Sequence, residues 1–226
     1  MFSDLSLFEI SAYVIPVVLA ITLHEAAHGY VAWLCGDDTA KRARRVTLNP
    51  FRHIDLFGTI VLPAILIAVG APFFGFAKPV PVDFSRLRRR SDIALVAAAG
   101  PLANIIIALI AAGLLHGLPE VPPDARAWVL RTLQLGVTLN LALAVFNLIP
   151  VPPLDGAKVA IGLLPRPLAI AMARLDRYGI LILLALVVFL PMAASQAGVA
   201  FNPFWAVVQP ILGILLDVVL LVTGHR

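Results

Sequence analysis

The chain has 226 residues, 61% of them hydrophobic and 13% charged, with a mean hydropathy of +0.97. A soluble domain is nearer half apolar and a quarter charged, so a water-soluble globule is excluded and the surplus apolar surface faces lipid. The net charge of +4 marks the cytoplasmic loops of a membrane protein and does not point to nucleic acid.

The first apolar segment runs from about Leu7 to Leu34, with Pro16 expected to kink it. Met1 to Glu9 lacks a basic leader and a cleavage site, so this helix is expected to act as its own insertion signal. The one cysteine, Cys35, excludes an intramolecular disulfide and a cysteine-based zinc cluster. A basic stretch follows, with Lys41, Arg42, Arg44, Arg45 and Arg52. The second apolar segment, Leu56 to Phe76, is broken by Pro63, Gly70 and Pro72. Gly75 to Val82 is too rich in proline for a helix and reads as extended chain or an edge strand. A second basic cluster holds Arg86, Arg88, Arg89 and Arg90.

The third segment is Ile93 to Leu115, and the fourth is Ala127 to Leu148. The segment from Ala157 to Asp176 is amphipathic and suits an interface. Tyr178 to Ala194 and Phe204 to Val222 complete the set. Each long run approaches the roughly 18 to 20 residues that cross a bilayer. There is no internal repeat.

Charge decides the expected topology. Basic residues flank the second segment on both sides, so a full crossing would put one basic loop outside, against the positive-inside rule. A re-entrant hairpin with bends near Pro63 and Gly70 avoids this, provided protein covers it. Five spans then put the N-terminus outside and the C-terminus inside. All Lys and Arg except Arg126 and Arg131 fall on the inner side, and His116 falls on the outer one. Six full crossings are the alternative. The expected fold is therefore an all-α polytopic membrane protein. It has five to six transmembrane helices, a re-entrant segment and a short β-like edge strand. It forms one domain, with a core over about residues 7–165 and C-terminal helices over about 177–222.

His24-Glu25-Ala26-Ala27-His28 carries the chemistry. Residues four apart share a helix face, so both imidazoles can bind one metal. The glutamate beside the first can reach a water there, which is the zinc-peptidase pattern. Two unrelated histidines would be the plain reading in a soluble helix. At membrane depth, ionisable groups are costly and functional by default. A catalytic zinc needs a third protein ligand and an open position. Asp155, just past a long apolar helix, is the leading candidate, although it would also serve as a helix N-cap. His53 and Asp55, at the mouth of the re-entrant segment, are the alternatives.

These residues resemble a known family. His24 to His28, Ala99-Gly-Pro-Leu-Ala-Asn104 and Asn147-Leu-Ile-Pro-Val-Pro-Pro-Leu-Asp-Gly156 together resemble the site-2 protease family of intramembrane zinc metalloproteases. Asn49 to Gly58 and Phe76 to Val82 are similar to its short bacterial branch, which lacks PDZ and CBS domains. The resemblance implies one zinc per chain, held by His24, His28 and Asp155, with Glu25 as general base. It implies that Asn147 contacts substrate or the oxyanion, and that Asn104 lies close to the site. A hydrogen bond between helices is an equal reading of Asn104. Lys78, Val80 and Val82 would pair with an unwound transmembrane-helix substrate.

The expected protein is thus a multi-pass enzyme of the cell membrane. It would cut peptide bonds within or near transmembrane segments, from a cavity opening on the cytoplasmic side. Its partners would be the lipid bilayer and a membrane-protein substrate, with no nucleic acid, and no signal fixes an oligomeric state. A zinc transporter would use similar ligands, but it predicts paired repeats and further ionisable sites. An inactive scaffold would not need the whole set of Glu25, two histidines and Asp155.

Overall fold

The computed structural model describes residues 7–68, 76–198 and 202–225. It is helical, and no β-strand occurs among the described residues. Five helical runs are long and apolar enough to cross a membrane: Leu7–Leu34, Asp92–Glu120, Pro123–Leu148, Arg166–Gln196 and Trp205–Val222. The protein is an all-α polytopic membrane protein.

Helix α1 is Leu7–Leu34, with Pro16 inside it, and α2 is the short turn Thr39–Arg42. A π-helical turn over Leu56–Val61 leads into α3, Leu62–Ala68. Helix α4 is Asp92–Leu114 and α5 is Pro123–Leu148. Then come α6, Asp155–Leu163, and α7, Arg166–Leu175. Helix α8, Gly179–Leu184, runs through a π turn into α9, Leu190–Gln196, and α10 is Pro203–Val222.

Small residues bring α1, α4 and α5 together. The buried face of α1 holds Ala12, Ala20, Ala26, Gly29 and Ala32. That of α4 holds Ala97, Gly100, Ala108, Ala111 and Ala112. In lipid the hydrophobic effect does not drive helices together, so close backbone approach and hydrogen bonds carry the packing. Large apolar side chains accordingly point outward, among them Leu95, Leu102, Ile106 and Ile110. Among the largest fully buried side chains are four polar ones: His53, Asn104, Asn140 and Asp37.

The two described ends of the second apolar segment meet, as a re-entrant path requires. The Phe76 amide donates to Gly58 O at 3.0 Å, and Thr59 Oγ1 donates to Phe76 O at 3.0 Å. Residue 76 has therefore returned to the level of residue 58. Gly70, where one bend was expected, lies outside the described residues. Leu62 and Leu66 pack against Val188 and cover this segment from the α8–α9 side.

The expected edge strand takes a different form. Residues 76–82 have no regular structure and no strand partner among the described residues. Their inward bonds go to loop carbonyls and side chains, and Pro79 and Pro81 have no amide to offer a ladder. Gly75 lies outside the described residues.

The ends of the bundle differ in charge. One end gathers the N-terminal part of α1 and the start of α5. There Arg131 pairs with Glu9 at 3.0 Å, and Trp128 Nε1 donates to Ser11 Oγ at 2.9 Å. The other end gathers most basic residues. There the Arg88 amide donates to Cys35 O at 3.2 Å, and Arg90 Nη2 donates to Ile161 O at 2.6 Å and to Leu164 O.

The C-terminal residues correct the expected topology. The rings of His116 and His225 stack with centroids 4.2 Å apart. Residue 225 therefore sits at the α4–α5 link, the same end as residue 9, whereas five crossings predict opposite ends. Hydropathy counts apolar helices, but it does not say which of them run from face to face.

Candidate metal centre

Helix α1 carries His24 and His28 one turn apart, inside the bundle. The rings reach Asp155 at the first turn of α6. His24 Nε2 and His28 Nε2 are 3.0 Å apart, and each lies 3.1 Å from Asp155 Oδ2. All three side chains are buried. The edges of a tetrahedron about zinc, with bonds of about 2.0 Å, are roughly 3.3 Å. The three atoms are therefore spaced almost as ligands of one ion.

The hydrogen bonds behind the rings fix their chemistry. His24 Nδ1 faces Asn104 Oδ1 at 2.7 Å, and His28 Nδ1 faces Val96 O at 2.7 Å. Both oxygens are acceptors, so both Nδ1 atoms carry the proton. Each Nε2 then presents a lone pair. Two lone pairs and a carboxylate oxygen converge with no proton between them. Such an arrangement repels itself unless a cation lies at its centre, so the donor set fits zinc.

Local backbone makes this convergence possible. A Cβ on Gly100 would lie 2.4 Å from His28 Nε2 and 2.6 Å from His24 Cε1. Only glycine lets both rings lie against α4 there. A Cβ on Gly156 would lie 2.2 Å from Leu148 O. Gly156 thus lets α6 start hard against the end of α5, which brings Asp155 in. Burial alone would raise the Asp155 pKa. The nearby Lys158 ammonium acts the other way and favours the charged carboxylate that a metal ligand must be.

Glu25 lines a cleft of about 180 Å³ together with His28, Asp155, Lys158, Pro79 and Val80. Its Oε2 accepts the Val80 amide at 2.9 Å. A larger apolar groove of about 500 Å³ lies between α1 and α4, and none of the three converging residues lines it.

The remaining expected site residues lie as follows. Asn104 is fully buried with its amide engaged: Nδ2 donates to Asn140 Oδ1 at 2.9 Å and to Ala20 O at 3.3 Å. It stands behind His24 and does not face the cleft. Asn147 Nδ2 donates to Leu143 O of its own helix at 3.0 Å and does not line the cleft. Val80 and Val82 line the cleft, whereas the Lys78 side chain is exposed. His53 is buried against Thr47 O at 3.1 Å, and Asp55 caps the π turn through the Gly58 amide. Neither belongs to the His24–His28–Asp155 group.

Sequence reasoning missed three participants: the Val80 amide, Asn140 and Lys158. Lys158 Nζ lies 3.4 Å from Asp155 Oδ1, the oxygen turned away from the histidines. Its position one turn after Asp155 was a visible signal. The Val80 amide is backbone and left none.

Comparison with known proteins gives the family. Residues 123–190 match peptidase family M50. YwhC of Bacillus subtilis is 37% identical over 213 residues, covering 88% of this chain and 93% of that relative. Rip2 of Mycolicibacterium smegmatis is 32% identical over 62% of this chain and 52% of its own. Both are classed by name as zinc metalloproteases. The regulator of sigma-E protease RseP of Salmonella typhimurium is 29% identical over 52% of this chain and 28% of its own length. No solved structure gives a significant match. The chain belongs to peptidase family M50, the site-2 proteases, and is a membrane metalloprotease.

Proposed function

We propose that this protein hydrolyses peptide bonds within or near transmembrane segments of membrane proteins. In this reading His24, His28 and Asp155 hold one zinc, and Glu25 is the general base. The observation that carries it is the convergence of three acceptor atoms from His24, His28 and Asp155, with the Glu25 carboxylate lining a cleft beside His28 and Asp155.

Zinc bound there would supply Lewis acidity to the attacking water and the scissile carbonyl. Glu25 takes the proton of that water and passes it to the leaving amine. Asn104 and Val96 O hold the imidazoles in the tautomer that binds metal. Asn147 contributes to the oxyanion only by exchanging its bond to Leu143 O for one to substrate.

A transmembrane helix hides its peptide groups in internal hydrogen bonds, and leaving them unpaired in lipid costs several kcal/mol each. Residues 76–82 offer replacement partners by strand addition. The basic end of the bundle marks the cytoplasmic side. Helix geometry puts His28, six residues before the end of α1, about 9 Å in from that end. Cysteine labelling near Glu25 that succeeded only from the outer face would contradict this orientation.

The decisive test is Glu25→Gln. It should keep one zinc per chain and lose cleavage of a transmembrane test substrate. Full cleavage by this variant would end the reading, and a zinc carrier would be unaffected by it.

A further inference from the structure

We propose that Arg45 is a positioning residue that sets the Glu25 carboxylate through the backbone of residues 78–80. The proposal rests on the reading of Glu25 as general base.

Arg45 is buried at 8% exposure, although it lies in a loop. Its Nη2 donates to Lys78 O at 2.6 Å, and its Nε has no partner among the described residues. The same residue is held at its other backbone group, because the Lys78 amide donates to His53 O at 2.9 Å. His53 is itself fixed, at 2% exposure, by Nε2 against Thr47 O. Both polar groups of residue 78 are therefore gripped by the loop over residues 45–53.

Two residues on, the Val80 amide donates to Glu25 Oε2. Where every second amide of a segment bonds to one side, those residues direct their peptide groups to the same edge. The amides of Phe76, Lys78 and Val80 all bond inward in this way. The Lys78 carbonyl and the Val80 amide thus share an edge, and rotating one away turns the other. Val80 packs closely over Gly29 of α1, where a Cβ would lie 3.1 Å from Val80 Cγ1 and 3.0 Å from Val46 Cγ2.

Stability alone does not account for Arg45. A buried guanidinium without an acid partner is strongly penalised for desolvation. A neutral donor could hold one loop carbonyl at lower cost. What the charge adds is a short, strong, directional bond, which suits a group that fixes geometry near reacting atoms. Small misplacements there reduce rate by up to about a hundredfold.

The test uses the full chain in lipid nanodiscs with a transmembrane test substrate. Arg45→Met should lower kcat about tenfold, with KM within about twofold and one zinc per chain, and Arg45→Lys should restore most of the rate. In an already inactive Glu25→Gln background, Arg45→Met should leave zinc content unchanged. A raised KM with unchanged kcat would make Arg45 a substrate contact and overturn the proposal. Equal loss in Arg45→Lys and Arg45→Met, with loss of zinc, would overturn it in favour of a purely structural role. Hydrogen exchange covers the case in which Arg45 variants do not fold. Glu25→Ala removes the acceptor, so the peptide spanning residues 76–83 should exchange faster. Unchanged exchange would sink the proposal, whereas an active Glu25→Gln would sink the general-base reading itself.

Discussion

Asn104 Oδ1 accepts the Nδ1 proton of His24 at 2.7 Å, from a position with no solvent exposure. One asparagine thereby links α4 to the proposed zinc ligand on α1, and through Asn140 to α5. Asn104→Leu removes the acceptor and frees the imidazole to rotate. Zinc affinity should fall about 10- to 100-fold, the usual effect of losing such a partner. Competition with a chromophoric chelator measures it, and an unchanged affinity would show that Asn104 only joins helices.

Gly100→Ala should expel zinc. The added methyl would overlap both imidazoles, and neither α1 nor α4 can retreat without opening the bundle. Gly113, in the same helix, has nothing within 4 Å of its would-be Cβ. Gly113→Ala should therefore keep zinc, with stability unchanged or raised by up to about 1 kcal/mol from helix propensity. Zinc content and thermal unfolding of the pair separate a specific clash from a general intolerance of substitution in α4.

His53 gives a test of the ligand set. Its ring lies on Thr47 O and outside the converging group. His53→Gln should retain one zinc per chain by elemental analysis, whereas His24→Gln and Asp155→Asn should not. Zinc loss in the His53 variant alone would reverse the assignment.

Acid should loosen the segment beside the cleft. Asp37 is fully buried just past α1, and its carboxylate accepts the Thr39 and Asp83 amides and the Thr39 hydroxyl. Burial pushes its pKa up, but those hydrogen bonds prevail and leave it below the ordinary value. A depressed folded-state pKa gives stability that is present above the unfolded value, about 3.9, and is lost as pH falls through the folded one. Limited proteolysis over residues 76–90 should therefore rise below about pH 4. In Asp37→Asn the same cutting should already occur at pH 6 and change less with acid. Identical profiles for the two proteins would count against Asp37 as the latch.

The three converging residues were legible in the sequence because the features that mark them are local or costly. His24 and His28 share a helix face by arithmetic, and Asp155 stood out as a carboxylate at the end of an apolar run. The return of residue 76 to the level of residue 58 was legible from the basic residues on both flanks. Other features depend on distances that sequence does not encode. Asn147 and Asn104 look alike as single polar residues in apolar helices. One turns to its own helix and the other to His24, and only packing decides which. The end at which residue 225 lies was hidden for a different reason. The last helix carries few flanking charges, so nothing in composition sets its direction.

The alternation of amides along residues 76–80 also sets what a bound peptide must look like. By that alternation the opposite edge would fall to Ala77, Pro79 and Pro81, and two of these three residues have no N–H. That edge therefore offers carbonyls almost exclusively, and a peptide laid along it must supply the donors. The enzyme would then filter its substrates by backbone alone, passing side chains of many kinds but rejecting chains whose own amides are blocked. N-methylation at alternate positions of a test peptide should abolish its cleavage, while the same change one residue over should be tolerated.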